Sequence, residues 1–242
     1  MTRTSLWQEF AVRADAEWCV TLLSKLAMNT STRFEDGKTR CNWVTVSPLY
    51  VAYHDDEWGR PVGDDDGIFE RLSLEGFQSG LSWLTILRKR PAFRAAFADF
   101  DVATVAGFGE RDVARLLGDA GIVRHRGKIE AVINNAARAI ELKREAGSLA
   151  QFLWSFQPPP QHPDDAMTPR TTCDEAIALS KALKQRGWKF VGPTTMYAAM
   201  QAIGLVNDHA PDCHCRQAVD RIQTAFKRQL ASLHKSVTAD SA

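Results

Sequence analysis

The 242-residue chain contains no apolar run long enough to cross a bilayer and no opening segment of signal-peptide character, which sets aside membrane-spanning and secreted classes. Its five cysteines are an odd number and include no CxxC repeat, so neither a disulfide framework nor a finger array is expected. At 45% hydrophobic content the length suffices for a full core without such staples. The expectation is a cytoplasmic protein with reduced thiols. Alternating strand patterns are scarce and no internal repeat is present, leaving helix packing as the main source of structure. Net charge is only +1, so the total by itself argues for no polyanionic partner.

The distribution of charge says more than its sum. The stretch from Asp55 to Glu75 carries eight acids against two bases, whereas Arg88–Arg94 and Lys181–Lys189 carry four bases each and no acid. Residues 122–144 add six bases against two acids. Converged on one face, such clusters form the electrostatic footprint of a phosphate-backbone binder; taken singly, each is equally a solvated helix face.

Apolar spacing is helical. Ile129, Val132, Ile133, Ala136 and Ile140 make one stripe, Thr172 with Glu175 reads as a capping box ahead of Ile177, Leu179 and Leu183, and Asp101 reads as the cap of a short helix. These signals predict an all-α domain of about eight to ten helices over residues 40–215. An extension over residues 1–39, with an amphipathic helix from about Trp7 to Leu26, precedes it. A basic helix and polar tail over residues 216–242 follow, and Gln157–Pro163 reads as an exposed break.

Gly187-Trp-Lys-Phe-Val-Gly192-Pro193-Thr194-Thr195 closes one helix and opens the next, with Pro193 suited to a first helical turn. Glycine lets the backbone approach a phosphate, and the following helix N-terminus supplies amide donors. A plain helix-to-helix turn has the same outline, but Lys181, Lys184, Arg186 and Lys189 crowd this one with positive charge. A second turn, Gly118–Gly121, is followed by Arg124, Arg126 and Lys128 and is expected to support a nucleic-acid contact.

Two further constellations carry chemistry. Cys41 with His54, and His209 with Cys213, together make a Cys2His2 set suited to a closed tetrahedral zinc site. The spacing alone leaves open ordinary buried thiols and surface histidines, or His214 and Cys215 as substitute ligands. The second constellation is Glu75 inside an apolar helical run, where a solvated position, as expected for Glu70 and Arg71, is the alternative. Trp43, Tyr50, Tyr53, Trp58 and Trp83 bracket it in sequence. Aromatic clusters are usually core; around a carboxylate they also make a box for a cation.

The order of these segments resembles the DNA-3-methyladenine glycosylase I family of helix-hairpin-helix enzymes over about residues 40–215. They run Cys41 to Gly59, Leu74 to Trp83, Ala120 to Ile129, Gly187 to Thr195 and Gly204 to His209. The resemblance implies excision of N3-methyladenine from double-stranded DNA containing alkylated bases, leaving an abasic site, by a monomer that is cytoplasmic and associated with the nucleoid. It implies one structural zinc held by Cys41, His54, His209 and Cys213. It implies a base pocket walled by Trp43, Tyr53 and Trp83 with Tyr50 nearby, and Glu75 bonded to the extruded base. DNA contacts are implied at the hairpin residues Lys189, Gly192, Thr194 and Thr195, with Leu81 entering the gap in the duplex. Asp208 has two readings: a catalytic carboxylate after the hairpin, or a partner orienting His209 on the metal. The latter is the expected role. No lysine lies in Gly204–Cys215 to form a Schiff base, so strand cleavage is not expected. A non-catalytic, zinc-stabilised sensor of distorted duplex is the competing class.

Overall fold

The computed structural model describes residues 30–159 and 170–239; the expected helix from Trp7 to Leu26 and the end of the proline-rich break lie outside them. Among the described residues there are ten α-helices: α1 (Pro48–Asp56), α2 (Asp65–Gln78), α3 (Trp83–Ala96), α4 (Val102–Ala106), α5 (Glu110–Gly118), α6 (Arg126–Ala146), α7 (Leu149–Trp154), α8 (Asp174–Gln185), α9 (Pro193–Ile203) and α10 (Arg216–Ala239). Their number matches the sequence expectation. A two-stranded antiparallel hairpin, β1 (Ser31–Arg33) and β2 (Thr39–Cys41), precedes them.

The acid run before α2 has a structural use. Asp64 caps the helix through the Gly67 amide at 2.6 Å, and Asp65 and Asp66 occupy the first turn, where the helix dipole favours negative charge. Asp65 also accepts from the Ala150 amide, and Asp66 from that of Val102, so the start of α2 organises the starts of two other helices. From Ile68 to Phe77 nearly every α2 side chain is buried, because α2 lies centrally, against α3, α6, α7 and α9. Phe77, Phe93, Phe97 and Phe100 interlock beside it, with successive ring centroids 4.6, 6.3 and 5.6 Å apart.

Several sequence expectations need correction. Residues 30–39 were expected in an extension, yet the hairpin packs onto the domain: the His214 amide donates to the Thr39 carbonyl at 2.9 Å, and Arg40 is buried between Asp36 and Asp55. The alternating pattern is only three residues long per strand, too short to read. Glu70 and Arg71 are not solvated. Glu70 receives a two-point ion pair from Arg94, and Arg71 donates to the Ala202 and Gly67 carbonyls. The cap of α8 is Cys173, whose Sγ accepts from the Ala176 amide, one residue after the expected Thr172. Asp101 caps α4 as expected, through the Thr104 amide at 2.7 Å. Helix α10 is part of the body: Gln223 donates to the Gly59 and Val206 carbonyls, and the Phe226 ring lies 4.8 Å from that of Trp154.

The turn between α8 and α9 is held from α6. Asn135 donates to the Lys189 carbonyl and accepts from the Lys189 amide, both at 2.9 Å, while Ser180 donates to the Val191 carbonyl. Gly187 adopts φ 79°, a left-handed conformation that a side chain would strain. Gly204 ends α9 at φ 84°, and a Cβ there would meet the Arg60 carbonyl carbon at 2.5 Å, so only glycine lets residues 59–62 run along the end of α9. Asn135→Ala removes both hydrogen bonds and leaves the turn backbone partly unsatisfied. It is expected to cost about 1–3 kcal/mol in urea denaturation and to raise amide exchange at Lys189; unchanged exchange there would show that the turn is held by something else.

Candidate functional site

A pocket of about 350 Å³ opens between α1, α2, α3 and α9. Trp43, Tyr50, Tyr53, Trp58 and Trp83 line it together with Glu75, Gln78, Thr194, Tyr197, Gln201 and Asp208. Five aromatic residues scattered over 40 sequence positions thus reach one cavity. Trp43 meets Tyr50, Tyr53 and Trp58 edge-on, with centroids 5.6, 6.4 and 4.9 Å apart, and Tyr53 is tilted against Trp83 at 5.3 Å. The indole N–H of Trp83 is buried and meets no acceptor among the described residues.

Glu75 projects into this pocket from the middle of α2. It is 5% exposed and has no hydrogen-bond or ion-pair partner among the described residues, in contrast to Glu70 on the same helix. Burial pushes its carboxyl up to about 8, so in the free protein it is largely neutral at neutral pH. Asp208 lines the same cavity. Its Oδ2 accepts from the Tyr197 hydroxyl and from Gln201 Nε2, both at 2.7 Å, while Oδ1 accepts no hydrogen bond among the described residues. Tyr197 and Gln201 lie one turn apart on α9, the i, i+4 spacing that puts both on one face. Neither was singled out from sequence, although that spacing beside Asp208 was available.

The expected link between Asp208 and His209 is not made. His209 Nε2 instead faces the Trp58 carbonyl at 3.2 Å, while Asp208 turns into the pocket.

Cys41, His54, His209 and Cys213 come together and are all buried, 0–5% exposed. His54 Nδ1 lies 2.8 Å from Asp55 Oδ1, so both this contact and that of His209 Nε2 with a carbonyl require the histidine nitrogen to be the donor. The remaining nitrogens, His54 Nε2 and His209 Nδ1, then present bare lone pairs to each other at 3.1 Å. That arrangement is repulsive unless a proton or a metal cation lies between them. Sulfur-to-nitrogen distances are 3.7 Å from Cys41 to His209, and 3.4 Å from Cys213 to each histidine. Tetrahedral zinc with bonds of about 2.0 and 2.3 Å to nitrogen and sulfur requires edges of about 3.3–3.8 Å. The donor set and its spacing therefore fit such an ion, and the Ala210 amide donates to Cys41 Sγ, as suits a thiolate.

The turn between α8 and α9 leaves Lys181, Lys184 and Lys189 exposed, while Gly192 caps α9 and Thr194 and Thr195 fall in its first turn. Leu81 is 41% exposed at the tip of the turn joining α2 to α3. Other expected basic contacts have partners within the chain. Lys128 is buried and donates to the Phe77 and Ser79 carbonyls at the end of α2, and Arg126 pairs with Glu130. Lys89 donates to the Ala120 and Gly121 carbonyls, Arg90 pairs with Glu57, and only Arg88 of that cluster is fully exposed. Sequence charge cannot show that a base has an internal acceptor.

The profile of the family described as methyladenine glycosylase matches residues 43–217. The chain belongs to that family. Among its members, DNA-3-methyladenine glycosylase 1 of Escherichia coli (strain K12) is 50% identical over 179 residues, covering 73% of this chain and 96% of the relative. A crystal structure of 3-methyladenine DNA glycosylase I superposes with a TM-score of 0.68 at 49% identity, covering 73% of this chain and 99% of that one. A structure described as giving the basis of 3-methyladenine recognition by the Staphylococcus aureus enzyme superposes with a TM-score of 0.68 at 38% identity, covering 78% and 97%. The methyladenine glycosylase fold is thus the fold of this chain, and among the described residues no helix is long and apolar enough to cross a membrane.

Glu75 makes the stability of the free protein depend on pH. Below about pH 4.5 the carboxyl is protonated in both states and burial carries no ionic penalty. Between about 4.5 and 8 the unfolded chain gives up the proton that the folded chain keeps, so this contribution is lost as pH rises. The slope is about 1.4 kcal/mol per pH unit within that window. Glu75→Gln should remove it, making the variant more stable relative to the parent at pH 8 than at pH 5 in urea denaturation; parallel pH profiles would show that Glu75 is ionised in the folded protein throughout.

Proposed function

We propose that this chain is a monofunctional DNA glycosylase of base-excision repair that extrudes and hydrolytically releases 3-methyladenine from alkylated duplex DNA, leaving an abasic site. The observation that carries this reading is the unpartnered Glu75 carboxyl inside an aromatic pocket. N3-methylated adenine in DNA is cationic. Aromatic faces attract that charge through their quadrupoles, and a carboxylate neutralises it while accepting base N–H groups. Entry of the cation favours ionisation of Glu75, which releases its proton on binding.

Glu75 and Asp208 have separable tasks. Glu75 recognises the charge on the base before cleavage. As the glycosidic bond breaks, its electron pair moves to the base, which leaves neutral, and positive charge develops on the sugar. Asp208, fixed by Tyr197 and Gln201 with Oδ1 unengaged, is the carboxylate offered to that cation and to the attacking water. Alkylation has already made the base a good leaving group, so recognition dominates the rate.

The α8–α9 turn with Lys189, Gly192, Thr194 and Thr195 binds the phosphate backbone, and Leu81 enters the space left by the extruded nucleotide. One copy of the chain is sufficient for these contacts. Cys41, His54, His209 and Cys213 hold one structural zinc, which neutralises the two thiolates and fixes the facing imidazoles. All four positions are protein ligands, so no position is left for substrate.

Two measurements test this assignment. Protein purified without chelator is expected to carry one tightly bound zinc by elemental analysis, and Cys41→Ser to lower thermal stability sharply, because metal-binding energy is folding energy. Metal-free protein of full stability would sink the zinc assignment. In single-turnover release of free base, Glu75→Ala should be slower by about 30- to 1000-fold, corresponding to roughly 2–4 kcal/mol. Asp208→Asn should be slower by about 100-fold with metal content unchanged. Non-specific DNA affinity should stay at the parental level in both. Release by Glu75→Ala at the parental rate would remove the recognition role.

A further inference from the structure

A second group of metal-ligating side chains adjoins the quartet and shares His54 with it. Asp55 Oδ1, His214 Nε2 and Cys215 Sγ converge: His214 lies 3.1 Å from Asp55 and 3.4 Å from Cys215, and Cys215 lies 3.8 Å from Asp55. We propose that Asp55, His214 and Cys215 form a second metal site that takes one thiophilic divalent cation of the zinc type, with water completing its coordination. Three donors at bonds of about 2.0–2.3 Å around a tetrahedral ion require edges of about 3.3–3.6 Å. The three distances bracket that range.

The donors sit on fixed backbone. Asp55 is in the last turn of α1, and the His214 amide is bonded to Thr39 of β2. The His214 side chain is 27% exposed and Asp55 12%, while Cys215 is buried, so this site opens to solvent on its His214 side. It does not need a nitrogen of His54, which remains the donor to Asp55. Binding replaces the proton on the Cys215 thiol and uses the neutral form of His214; both protons, where present, go to solvent.

Affinity is set by opposing charge. Arg40 donates to both oxygens of Asp55, at 3.0 Å to Oδ1 and 2.7 Å to Oδ2, and Lys38 lies 3.9 Å away. The carboxylate is therefore partly neutralised, and the second ion is held more weakly than that of the quartet and exchanges with solution.

The test uses the purified holoprotein with whatever tight metal it carries. Cobalt(II) is added, and bound cobalt is counted by equilibrium dialysis while thiolate-to-cobalt charge-transfer absorption is recorded. One additional cobalt per chain is expected, with that absorption. His214→Ala and Cys215→Ser should each weaken its binding by more than about 100-fold, since loss of a direct ligand exceeds the effect of an outer partner. The tight metal should stay in place in both variants. His214 is partly exposed, so its replacement leaves the fold intact. No additional cobalt, or an additional cobalt whose binding and absorption survive both substitutions, overturns the proposal. A protein that carries no tight metal yet binds one cobalt lost in His214→Ala would overturn the quartet assignment and leave this one standing.

Discussion

Two histidine lone pairs held 3.1 Å apart impose the constraint around which the site is organised. Each imidazole is locked from behind by an acceptor, so neither can turn to relieve the repulsion, and a cation between them is the remedy the donor set suits. Three of the pocket walls are near neighbours of these ligands in sequence. Trp43 stands two residues after Cys41, Tyr53 directly before His54, and Asp208 directly before His209. The cluster thus ties β2, α1 and the segment after α9 together, and the pocket inherits its dimensions from that junction.

The helices and the site were legible to different degrees. Periodic stripes such as Ile129, Val132 and Ala136 identify α6 because burial repeats every three or four residues, and glycine with proline at 192–193 marks the start of α9. The quartet and the aromatic set were visible as residue types in a recognisable order, which spacing alone would have left ambiguous. The β1–β2 hairpin was not legible, since three-residue strands carry no readable alternation and depend on distant partners, Asp55 for Arg40 and the His214 amide for Thr39. Asp208 was read toward the wrong neighbour. Adjacency in sequence says nothing about which way two side chains leave an irregular backbone.

Charge was the least faithful signal. Clusters that look alike in sequence divide between carbonyl caps, two-point ion pairs and open surface once the chain folds. Lys128, Lys89 and Arg90 are spent on the interior, while Lys181, Lys184 and Lys189 remain outside. The acids divide likewise: Asp64, Asp65 and Asp66 start helices, Glu57 and Glu70 pair with arginines, and Glu75 alone of α2 is left with neither water nor partner. A buried carboxyl without a partner opposes folding at neutral pH. Its persistence at the centre of a helix buried over most of its length makes sense where a ligand supplies the missing charge.

Lys128 has a mechanical consequence at the other end of that helix. Its ammonium bridges the Phe77 and Ser79 carbonyls, the Leu81 amide closes on Gln78, and Ser82 caps α3, so the four-residue bend between α2 and α3 is braced on both flanks. An apolar side chain displayed on a braced bend has little backbone freedom left to lose when it meets a stack of flat rings. Under the proposed function, Leu81 would act as a stiff probe, able to press on many steps of a duplex in turn and to sink only where stacking is already weak.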